Sequence, residues 1–421
     1  MRNKKYSGQE WVGMIPEDWK MQKGKYMFAQ RSQRGNAVEL QLLSPTQKYG
    51  VIPQSLYEEL TGMSAVKLNE QADLSQLKTI HKGDYCISLR SFQGGFEYSE
   101  YEGVVSPAYQ VFFPTTEVCE GYYKYLFKEA GFIEKMNSYT MTLRDGKNIA
   151  FSDFGNTYIP YPPIKEQERI ANYLDTQSAK LAELILDIQN QIDILEKYKR
   201  SVITEAVTKG LHADVNMRDS GIQWIGNIPA HWNIIRGKYI LSYIQKPVHE
   251  DDGVITCFRD GEVTLRSNRR EDGFTMSDKE IGYQGIDAGD LVVHGMDGFA
   301  GAIGISDSRG KASPVLNVLD TQQNKRYIMY FLRSMAYSDV FLALATGIRV
   351  RSCDLRWNKL AELFYPVPPI NEQIEIVNHI DLALKKANEI IAGKKQQIDF
   401  LESYKRSLIC EYVMGNKEVP V

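Results

Sequence analysis

Two glycine-rich segments in the second half of the chain contain residue types that could bind a phosphate group. GMDGFAGAIG, which begins at Gly295, lacks the GxGxxG spacing by which a dinucleotide-binding turn approaches a pyrophosphate. GISDSRGKA, which begins at Gly304, has five residues where a phosphate-binding loop needs four, and Ala312 stands where a Ser or Thr would bind magnesium. Neither segment therefore predicts a nucleotide site.

The residue types of other chemistries are scattered along the chain. Six histidines show no metal-ligand spacing, and five cysteines lie far apart without a CxxC pair. The sequence therefore indicates no catalytic constellation, metal site or cofactor-binding motif.

Composition limits the class of protein. The net charge is only -3, with 18 basic and 18 acidic residues over 1–163 and 18 and 19 over 210–369. Any positive field directed at a nucleic acid must therefore be local. The start shows no signal-peptide pattern and no apolar stretch reaches membrane-spanning length, so we expect a cytoplasmic protein without a membrane partner.

The chain contains the same unit twice. SGQEWVGMIPEDWK, from Ser7, returns as SGIQWIGNIPAHWN, from Ser220, and ten of the twenty positions from Ser7 to Tyr26 match their partners. PYPPIKEQ, from Pro160, returns as PVPPINEQ, from Pro366. A duplication of this size predicts two copies of one structural unit, so that a single chain imitates a symmetric dimer.

Each copy begins with a part that is rich in Gly, Tyr and short β-prone runs, which is typical of a mixed α/β domain. HKGDYCIS, from His81, and DAGDLVVH, from Asp287, each predict a turn followed by a buried strand. YYKYLF, from Tyr122, and YIMYFL, from Tyr327, predict a helix in both copies.

Each copy ends in a segment whose apolar residues keep a seven-residue period, which predicts long paired helices. In the first helix one row is Ala171, Ser178, Ile185 and Ile192, and the other is Leu174, Leu181, Ile188, Leu195 and Val202. In the second helix the rows are Val377, Leu384, Ile391 and Ile398, and Ile380, Ala387, Lys394, Leu401 and Leu408. Lys394 is a polar intrusion that we expect to weaken the seam locally and to fix its register.

The ends of these helices also have sequence signals. A proline pair precedes each helix, and Glu166 and Glu372 in the first turn suit the positive helix end. Asn371 is expected to be the N-cap of the second helix, and Gly210 and Gly415 are expected to stop the two helices.

The lengths of the segments predict the direction of the helices. A helix of about 44 residues is about 66 Å long, whereas a domain of about 150 residues has a radius of gyration near 15 Å. A parallel pair would require the intervening domain to return the chain by the full helix length, so we predict an antiparallel pair. The predicted fold is α+β, with two pseudo-twofold-related mixed α/β domains separated by a long antiparallel two-helix coiled coil. The predicted segments are a first domain over 1–163, a central spacer helix over 164–210, a second domain over 211–369, a C-terminal spacer helix over 370–415 and a tail over 416–421.

The order and content of these segments resemble the specificity subunit of type I restriction-modification enzymes. The resemblance is carried by the IPxxW element near each domain start, the strand that follows the GD turn, and the PPxxEQ entry to a heptad helix ending in EKYKRS or ESYKRS. PPxxEQ alone is a weak pattern, but its occurrence twice, with the helices and the repeat, is specific. The resemblance covers essentially the whole chain.

The resemblance implies a function in DNA recognition. Each domain is a target-recognition domain that reads one half of a bipartite, asymmetric sequence in double-stranded DNA, and the helices set the unread gap. The helices also dock two DNA methylation subunits, and restriction subunits that translocate DNA join them. Adenine-N6 methylation and ATP-dependent cleavage, with S-adenosylmethionine, ATP and magnesium, belong to those partners; this chain has no NPPY-type tetrapeptide, since YPPI and VPPI are helix entries.

Loops rich in Arg, Lys, Asn, Gln or Ser are the candidates for contacts with base edges and phosphates. The first candidate loop follows the strand after the GD turn. The second lies just before the proline pair at the start of each long helix. The third is the segment RDGEVTLRSNRR in the second domain. The glycines Gly94 and Gly95 in the first loop would allow close backbone approach. The predicted DNA-binding residues are Arg90, Ser91, Gln93, Arg144, Lys147, Asn148, Arg259, Arg266, Arg269, Arg270, His294, Arg349, Arg351 and Arg356.

Other interpretations remain open. The candidate arginines could be solvated and paired with nearby acids such as Asp260, while Trp11, Trp19, Trp224 and Trp232 are expected in the core rather than on a base-stacking surface. The main alternative function is a protein-interaction scaffold, with two binding domains on a coiled coil. An enzyme that acts alone is a weaker alternative, since it would need a nucleophile or cofactor motif. Within the favoured interpretation, the chain could also exchange recognition domains with a paralogue or serve methylation without restriction.

Overall fold

The computed structural model describes residues 2–35, 40–64, 76–87, 95–139, 149–269, 281–344 and 355–420. The chain forms two compact units. Unit 1 consists of Met1–Asp187 and Gln396–Val421, and unit 2 of Ile188–Lys395. Each unit thus contains one sheet-rich domain, the first part of one long helix and the last part of the other.

Unit 1 contains a mixed α/β domain followed by the first long helix. Its strands are β1 (Lys4–Tyr6), β2 (Met14–Pro16), β3 (Lys20–Lys23), β4 (Phe28–Arg31), β5 (Arg34–Gly35), β6 (Leu43–Thr46), β7 (Gly50–Pro53), β8 (Leu77–Ile80), β9 (Tyr85–Ile87), β10 (Glu97–Tyr98), β11 (Gly103–Val105), β12 (Gln110–Pro114) and β13 (Tyr158–Tyr161). Its helices are α1 (Gln54–Thr61), α2 (Glu120–Leu126), α3 (Ala130–Ser138), α4 (Phe151–Asn156) and the first part of α5 (Ile164–Lys209).

Unit 2 repeats this plan. Its strands are β14 (Met217–Asp219), β15 (Asn227–Pro229), β16 (Asn233–Arg236), β17 (Leu241–Ile244), β18 (Ile255–Cys257), β19 (Val263–Leu265), β20 (Gln284–Ile286), β21 (Leu291–His294), β22 (Ile303–Ile305), β23 (Gly310–Ala312), β24 (Leu316–Thr321) and β25 (Phe364–Val367). Its helices are α6 (Lys325–Tyr337), α7 (Val340–Ala343), α8 (Trp357–Glu362) and the first part of α9 (Ile370–Val413).

The two domains share one sheet topology, which confirms the duplication and the α+β class. The central sheet of unit 1 has the antiparallel order β10-β9-β12-β4, and unit 2 has β22-β21-β24-β17. In both units the strand after the IPxxW element pairs with the strand before the proline pair, as β3 with β13 and β16 with β25. The predicted helices after these sheets are α2 and α6.

The GD sequence builds the turn that leads into the central strand. Gly83 and Gly289 have φ of +94° and +89°, a backbone conformation that glycine adopts without strain. The carboxylate of the following Asp84 accepts the backbone N–H of His81 at 2.9 Å, and Asp290 accepts that of Asp287 at 2.8 Å. The strands β9 and β21 that follow are buried except for the terminal His294, as the sequence predicts.

The predicted heptad rows form the buried side of the long helices. All eighteen row positions are buried or half-buried in the described helices, including Leu174 and Ile380, which are fully buried. The long helices α5 and α9 end next to Gly210 and close to Gly415, whose φ values are +74° and +67°, so the predicted stops are confirmed.

The helices run antiparallel within each unit. In unit 1, Tyr173 near the start of α5 contacts Tyr412 near the end of α9, with ring centroids 4.6 Å apart. In unit 2, the Nζ atom of Lys394 donates to the Oε1 atom of Gln191 on the other helix. Lys394 therefore has a partner across the seam, as expected of a residue that fixes register.

The expected N-cap at Asn371 is wrong. The second helix begins at Ile370, which places Asn371 inside the first turn. The first helical hydrogen bonds instead run from the N–H of Gln167 to the carbonyl of Pro163 and from that of Gln373 to Pro369. The second proline of each pair, Pro163 or Pro369, therefore occupies the N-cap position, whose carbonyl accepts the first helical hydrogen bond.

Each unit joins the start of one long helix to the end of the other through a tryptophan. In unit 1, Trp19 Nε1 donates to Glu166 Oε2 at 2.9 Å, and the ring lies against Gly415. In unit 2, Trp232 Nε1 donates to Glu372 Oε1 at 3.0 Å. Gly210 lies against the Trp232 ring in the same way as Gly415 against Trp19. These contacts explain the IPxxW and PPxxEQ sequences as one structural device.

A tyrosine completes this junction in each unit. The hydroxyl of Tyr122 donates to the carbonyl of Val413 at 2.8 Å, and that of Tyr327 donates to Val207 at 3.1 Å. Both acceptors lie in the last turn of a long helix, where carbonyl groups lack partners within the helix. Within the parts of the chain that the structure describes, no helix combines the length and apolarity needed to cross a membrane.

Candidate nucleic-acid interface

Five of the fourteen predicted DNA-binding residues lie in the described part of the chain, all in unit 2. They are Arg259, Arg266, Arg269, His294 and Arg356. The other nine lie outside the described residues, namely Arg90, Ser91, Gln93, Arg144, Lys147, Asn148, Arg270, Arg349 and Arg351.

Four of the five described candidates line one surface depression of about 890 Å³, which we call the basic concavity. Its wall is formed by β18 and the turn after it, by the short helical turn at Arg266, and by the end of β21. Arg259, Arg266, Arg269 and His294 therefore come together from three parts of the chain: the turn after β18, one helical turn and the end of β21. Arg356 is not in the wall, but it lies beside Gly295, the residue after His294.

Two arginines of the basic concavity are paired with acids, as the alternative interpretation of solvated loops predicts. Arg259 donates to Asp297 at 2.9 Å, and Arg269 donates to both carboxylate oxygens of Asp260, at 3.0 and 2.5 Å. The Arg269 guanidinium also lies 4.2 Å from the ring centroid of Phe258. These contacts fix the two guanidiniums in the wall of the depression, and a guanidinium binds a phosphate by the same kind of hydrogen bond as a carboxylate.

His294 contributes a neutral hydrogen-bond donor to the basic concavity. Its Nδ1 atom accepts the backbone N–H groups of Met296 and Asp297, at 3.2 and 2.9 Å. Burial lowers the pKa of the His294 imidazole, with Asp297 acting in the opposite direction. The proton of the neutral ring therefore resides on Nε2, which can donate to base-edge acceptors such as purine N7.

In unit 1 the loop after β9 lies outside the described residues as far as Gly94. Gly95 has φ of +81°, and a Cβ atom there would lie 2.0 Å from the carbonyl oxygen of Phe127. The backbone of Gly95 therefore packs closely against Phe127 of the same domain.

A different depression in unit 1 was not predicted from the sequence. This cleft of about 540 Å³, which we call the unit 1 cleft, lies between β7, β10, the end of α2 and the last turns of α9. Its basic residues are Lys48, Lys124, Lys128 and Lys405. Its wall also contains the carboxylate of Glu97, which is almost fully buried.

Glu97 is an unusual carboxylate. Its Oε1 atom accepts from Lys128 Nζ at 2.6 Å, and its Oε2 atom has no hydrogen-bond partner among the described residues. Burial raises the pKa of Glu97 to about 7, although the Lys128 ammonium opposes the shift. An isolated glutamate in a strand gives no sequence signal of such burial.

The tryptophans belong to the cores, as the sequence predicts. Trp19 and Trp232 are fully buried. Trp11 lies edge-on to Phe132, with centroids 5.8 Å apart, and Trp224 lies 6.3 Å from Phe331. None of these four rings therefore forms an exposed stacking surface.

Comparison with known proteins gives one family. Residues 16–193 match the family described as "Type I restriction modification DNA specificity domain". The EcoBI specificity subunit of Escherichia coli is 26% identical over 309 residues, which are 68% of this chain and 63% of that protein. The MjaVIII specificity subunit of Methanocaldococcus jannaschii is 33% identical over 88 residues, 21% of this chain and 19% of that protein. The matches thus span less than two thirds of the length of either relative.

A solved structure has a similar fold. A chain from a solved structure on assembly and conformational transition of the type I R-M system has a TM-score of 0.66 and 12% identity, over 96% of this chain and 99% of the other. A duplicated α/β domain with two long antiparallel helices defines a class of two-domain, helix-linked proteins. Within that class, residues 16–193 are similar to the type I restriction-modification DNA specificity domain, and 68% of the chain is similar to the EcoBI specificity subunit.

Proposed function

We propose that this chain is the DNA sequence-specificity subunit of a type I restriction-modification complex. Each α/β domain reads one half of a bipartite, asymmetric target in double-stranded DNA. The observation that carries the proposal is the match of residues 16–193 to a DNA specificity domain, whose sequence and sheet topology return in the second half. The grouping of Arg259, Arg266 and His294 in the basic concavity supports a reading surface in the second domain.

The long helices are suited to protein partners. Apolar side chains remain exposed away from the heptad seam, and they recur at the repeat offset of 206 residues: Leu184 and Ile390, Ile194 and Phe400, and Tyr198 and Tyr404. Exposed apolar rows of this kind are typical of interaction surfaces. Because the rows occur twice, they support docking of two equivalent methylation subunits, which restriction subunits then join. Methylation and ATP-dependent cleavage, with their cofactors, would belong to these partners.

Base-resolved mapping of modified adenines in the host genome tests the proposed function. Deletion of the gene should abolish modification at one motif with two specific halves and a fixed unread gap, and reintroduction of the gene should restore it. An unchanged modification pattern would contradict the proposal and leave the protein-interaction scaffold as the better explanation. The presence of adjoining methylase and translocase genes is a second, inexpensive discriminator.

A lengthened helix pair tests the role of the helices in setting the gap. Seven residues inserted after Gln191 and seven before Lys394 preserve the heptad rows and the antiparallel register. The insertion adds about 10 Å at about 1.5 Å per residue. That length corresponds to roughly three base pairs at about 3.4 Å each. We expect the modified motif to keep both halves while its gap grows by roughly three base pairs.

The matched control for this experiment carries seven residues after Pro420, in the tail, and should keep the original gap. An elongated variant that modifies DNA at the original gap would exclude the helices as the spacing element.

A further inference from the structure

We propose that a cleft beside the basic concavity of unit 2 binds a phosphodiester of the DNA backbone. The cleft, which we call the helix-side cleft, has a volume of about 520 Å³. It lies between the last turns of α5, with Lys199 and Arg200, and the end of α6, with Arg333 and Tyr337. The inference rests on the proposed function, since it assigns a second DNA contact to the same domain.

Two guanidinium groups in the helix-side cleft share one aromatic ring. Arg200 and Arg333 lie 5.4 and 5.6 Å from the ring centroid of Tyr337. Arg333 is further fixed, because its Nε atom donates to the Tyr337 hydroxyl at 2.8 Å and its Nη2 atom donates to the carbonyl oxygen of Asp260 at 2.7 Å. Stacking on an aromatic ring orients a guanidinium without neutralising it.

Three acids line the cleft, Glu196, Asp260 and Asp339, and the first two are engaged by other cations. Asp260 is bound by Arg269, and Glu196 forms an ion pair with Lys199 at 2.9 Å. In the described ranges, no carboxylate forms an ion pair with Arg200 or Arg333. Two adjacent cations without an anionic partner form a site for an anion that accepts several hydrogen bonds, and a phosphodiester has this chemistry.

The position of the cleft favours DNA over other anions. The helix-side cleft and the basic concavity share Arg259 and Asp260 in their walls. A DNA strand whose base edges face the concavity would therefore place neighbouring phosphates at the helix-side cleft. Contacts with phosphates fix the orientation of a protein on the duplex, whereas contacts with base edges specify sequence.

The internal repeat supports a contact that does not depend on sequence. Lys405 and Ile409 of the unit 1 cleft correspond to Lys199 and Ile203 of the helix-side cleft at the offset of 206 residues. Lys128 lies six residues after Tyr122, as Arg333 lies six after Tyr327, although Lys128 is already paired with Glu97. Base-reading loops must differ between two domains that read different sequences, but phosphate sites need not. Both units keep a basic cleft at this position.

Salt-dependent binding of the full chain, assembled with the methylation subunits of its host, tests this inference. Arg200→Gln and Arg333→Gln should each weaken binding roughly five- to tenfold at about 0.1 M salt, and equally for target and unrelated duplexes. Each change should also reduce the slope of log K against log salt by about one. Arg200→Lys should restore most of the slope, because it keeps the charge.

The matched control is Lys386→Gln. Lys386 is exposed and lies two residues from Leu384, which lines the cleft, so it points to the opposite face of α9. Its affinity and slope should stay close to those of the wild type. Arg200 is exposed and forms no hydrogen bond within the described chain, so its variant should fold normally.

The possible outcomes separate the inference from the proposed function. If the wild-type complex shows no preference for any duplex, the proposed function fails. If it discriminates between duplexes while Arg200→Gln and Arg333→Gln leave affinity and slope unchanged, the phosphate site alone is overturned. Loss of assembly with the methylation subunits, with an unchanged salt slope, would assign the cleft to a carboxylate of a protein partner and also overturn the inference.

Discussion

Replacement of Trp19 by alanine is expected to lower the free energy of unfolding of unit 1 by about 3–5 kcal/mol, the usual range for a buried tryptophan. The Trp19 side chain is fully buried, and its ring lies 6.4 Å from that of Tyr122 in an edge contact. The change leaves a cavity between the start of α5 and the end of α9, and it removes the N–H that Glu166 accepts. Denaturant unfolding followed by circular dichroism measures the loss.

Two further variants identify the cause of that loss. Trp232→Ala should produce a loss of similar size in unit 2, because its contacts with Glu372 and Gly210 are equivalent. Trp357→Ala is the control, since Trp357 is only half-buried and packs on Tyr243, and it should cost clearly less. Equal stability of Trp19→Ala and the wild type would show that the junction does not stabilise the domain.

The periodic features of the fold could be predicted from the sequence. The heptad rows, the glycine stops and the strands after the GD turns depend on local patterns, which period and turn chemistry reveal. The antiparallel direction followed from chain length alone. These features are local or geometric, so one sequence contains the information for them.

The structural role of the PPxxEQ sequence could not be predicted, because it depends on contacts between residues that are far apart in the chain. Glu166 suits the helix dipole, but its carboxylate also accepts from Trp19, 147 residues away. The side chain of Gln167 accepts the N–H of Cys119 at 2.9 Å, and Gln373 accepts that of Asn324 at the same distance. No spacing rule relates positions that lie about 50 residues apart on different elements.

The candidate site, like the fold, has features that the sequence suggests and features that only the structure shows. Residue type suggested Arg259, Arg266 and His294 as candidates, but only the fold shows that they share one depression. The basic residues near the end of α5 were visible in the sequence, but their relation to Arg333 was not. Tyr337, which orients both guanidiniums, is one of 25 tyrosines and has no distinguishing sequence context.

Glu97→Gln is expected to remove a pH-dependent loss of stability in unit 1. In the folded chain burial raises the pKa of Glu97 from its ordinary value of 4.5 to about 7. A raised pKa means that the folded state favours the protonated carboxyl, so its stabilising contribution is complete below about pH 4.5 and is lost as the pH rises through about 7. The shift corresponds to a loss of roughly 3 kcal/mol across that window.

Glutamine keeps the size of the side chain and an oxygen that can accept from Lys128, but it does not titrate. The free energy of unfolding of Glu97→Gln relative to the wild type should therefore rise by roughly 3 kcal/mol between pH 4.5 and pH 8, as measured by denaturant unfolding at several pH values. Glu100→Gln is the control, because Glu100 is an exposed acid of the same cleft, so an effect caused by burial of the carboxylate should be specific to Glu97→Gln. A constant difference for Glu97→Gln as well would mean that Glu97 titrates at its ordinary pKa, and the charge on the wall of the unit 1 cleft would then be fixed throughout the neutral range.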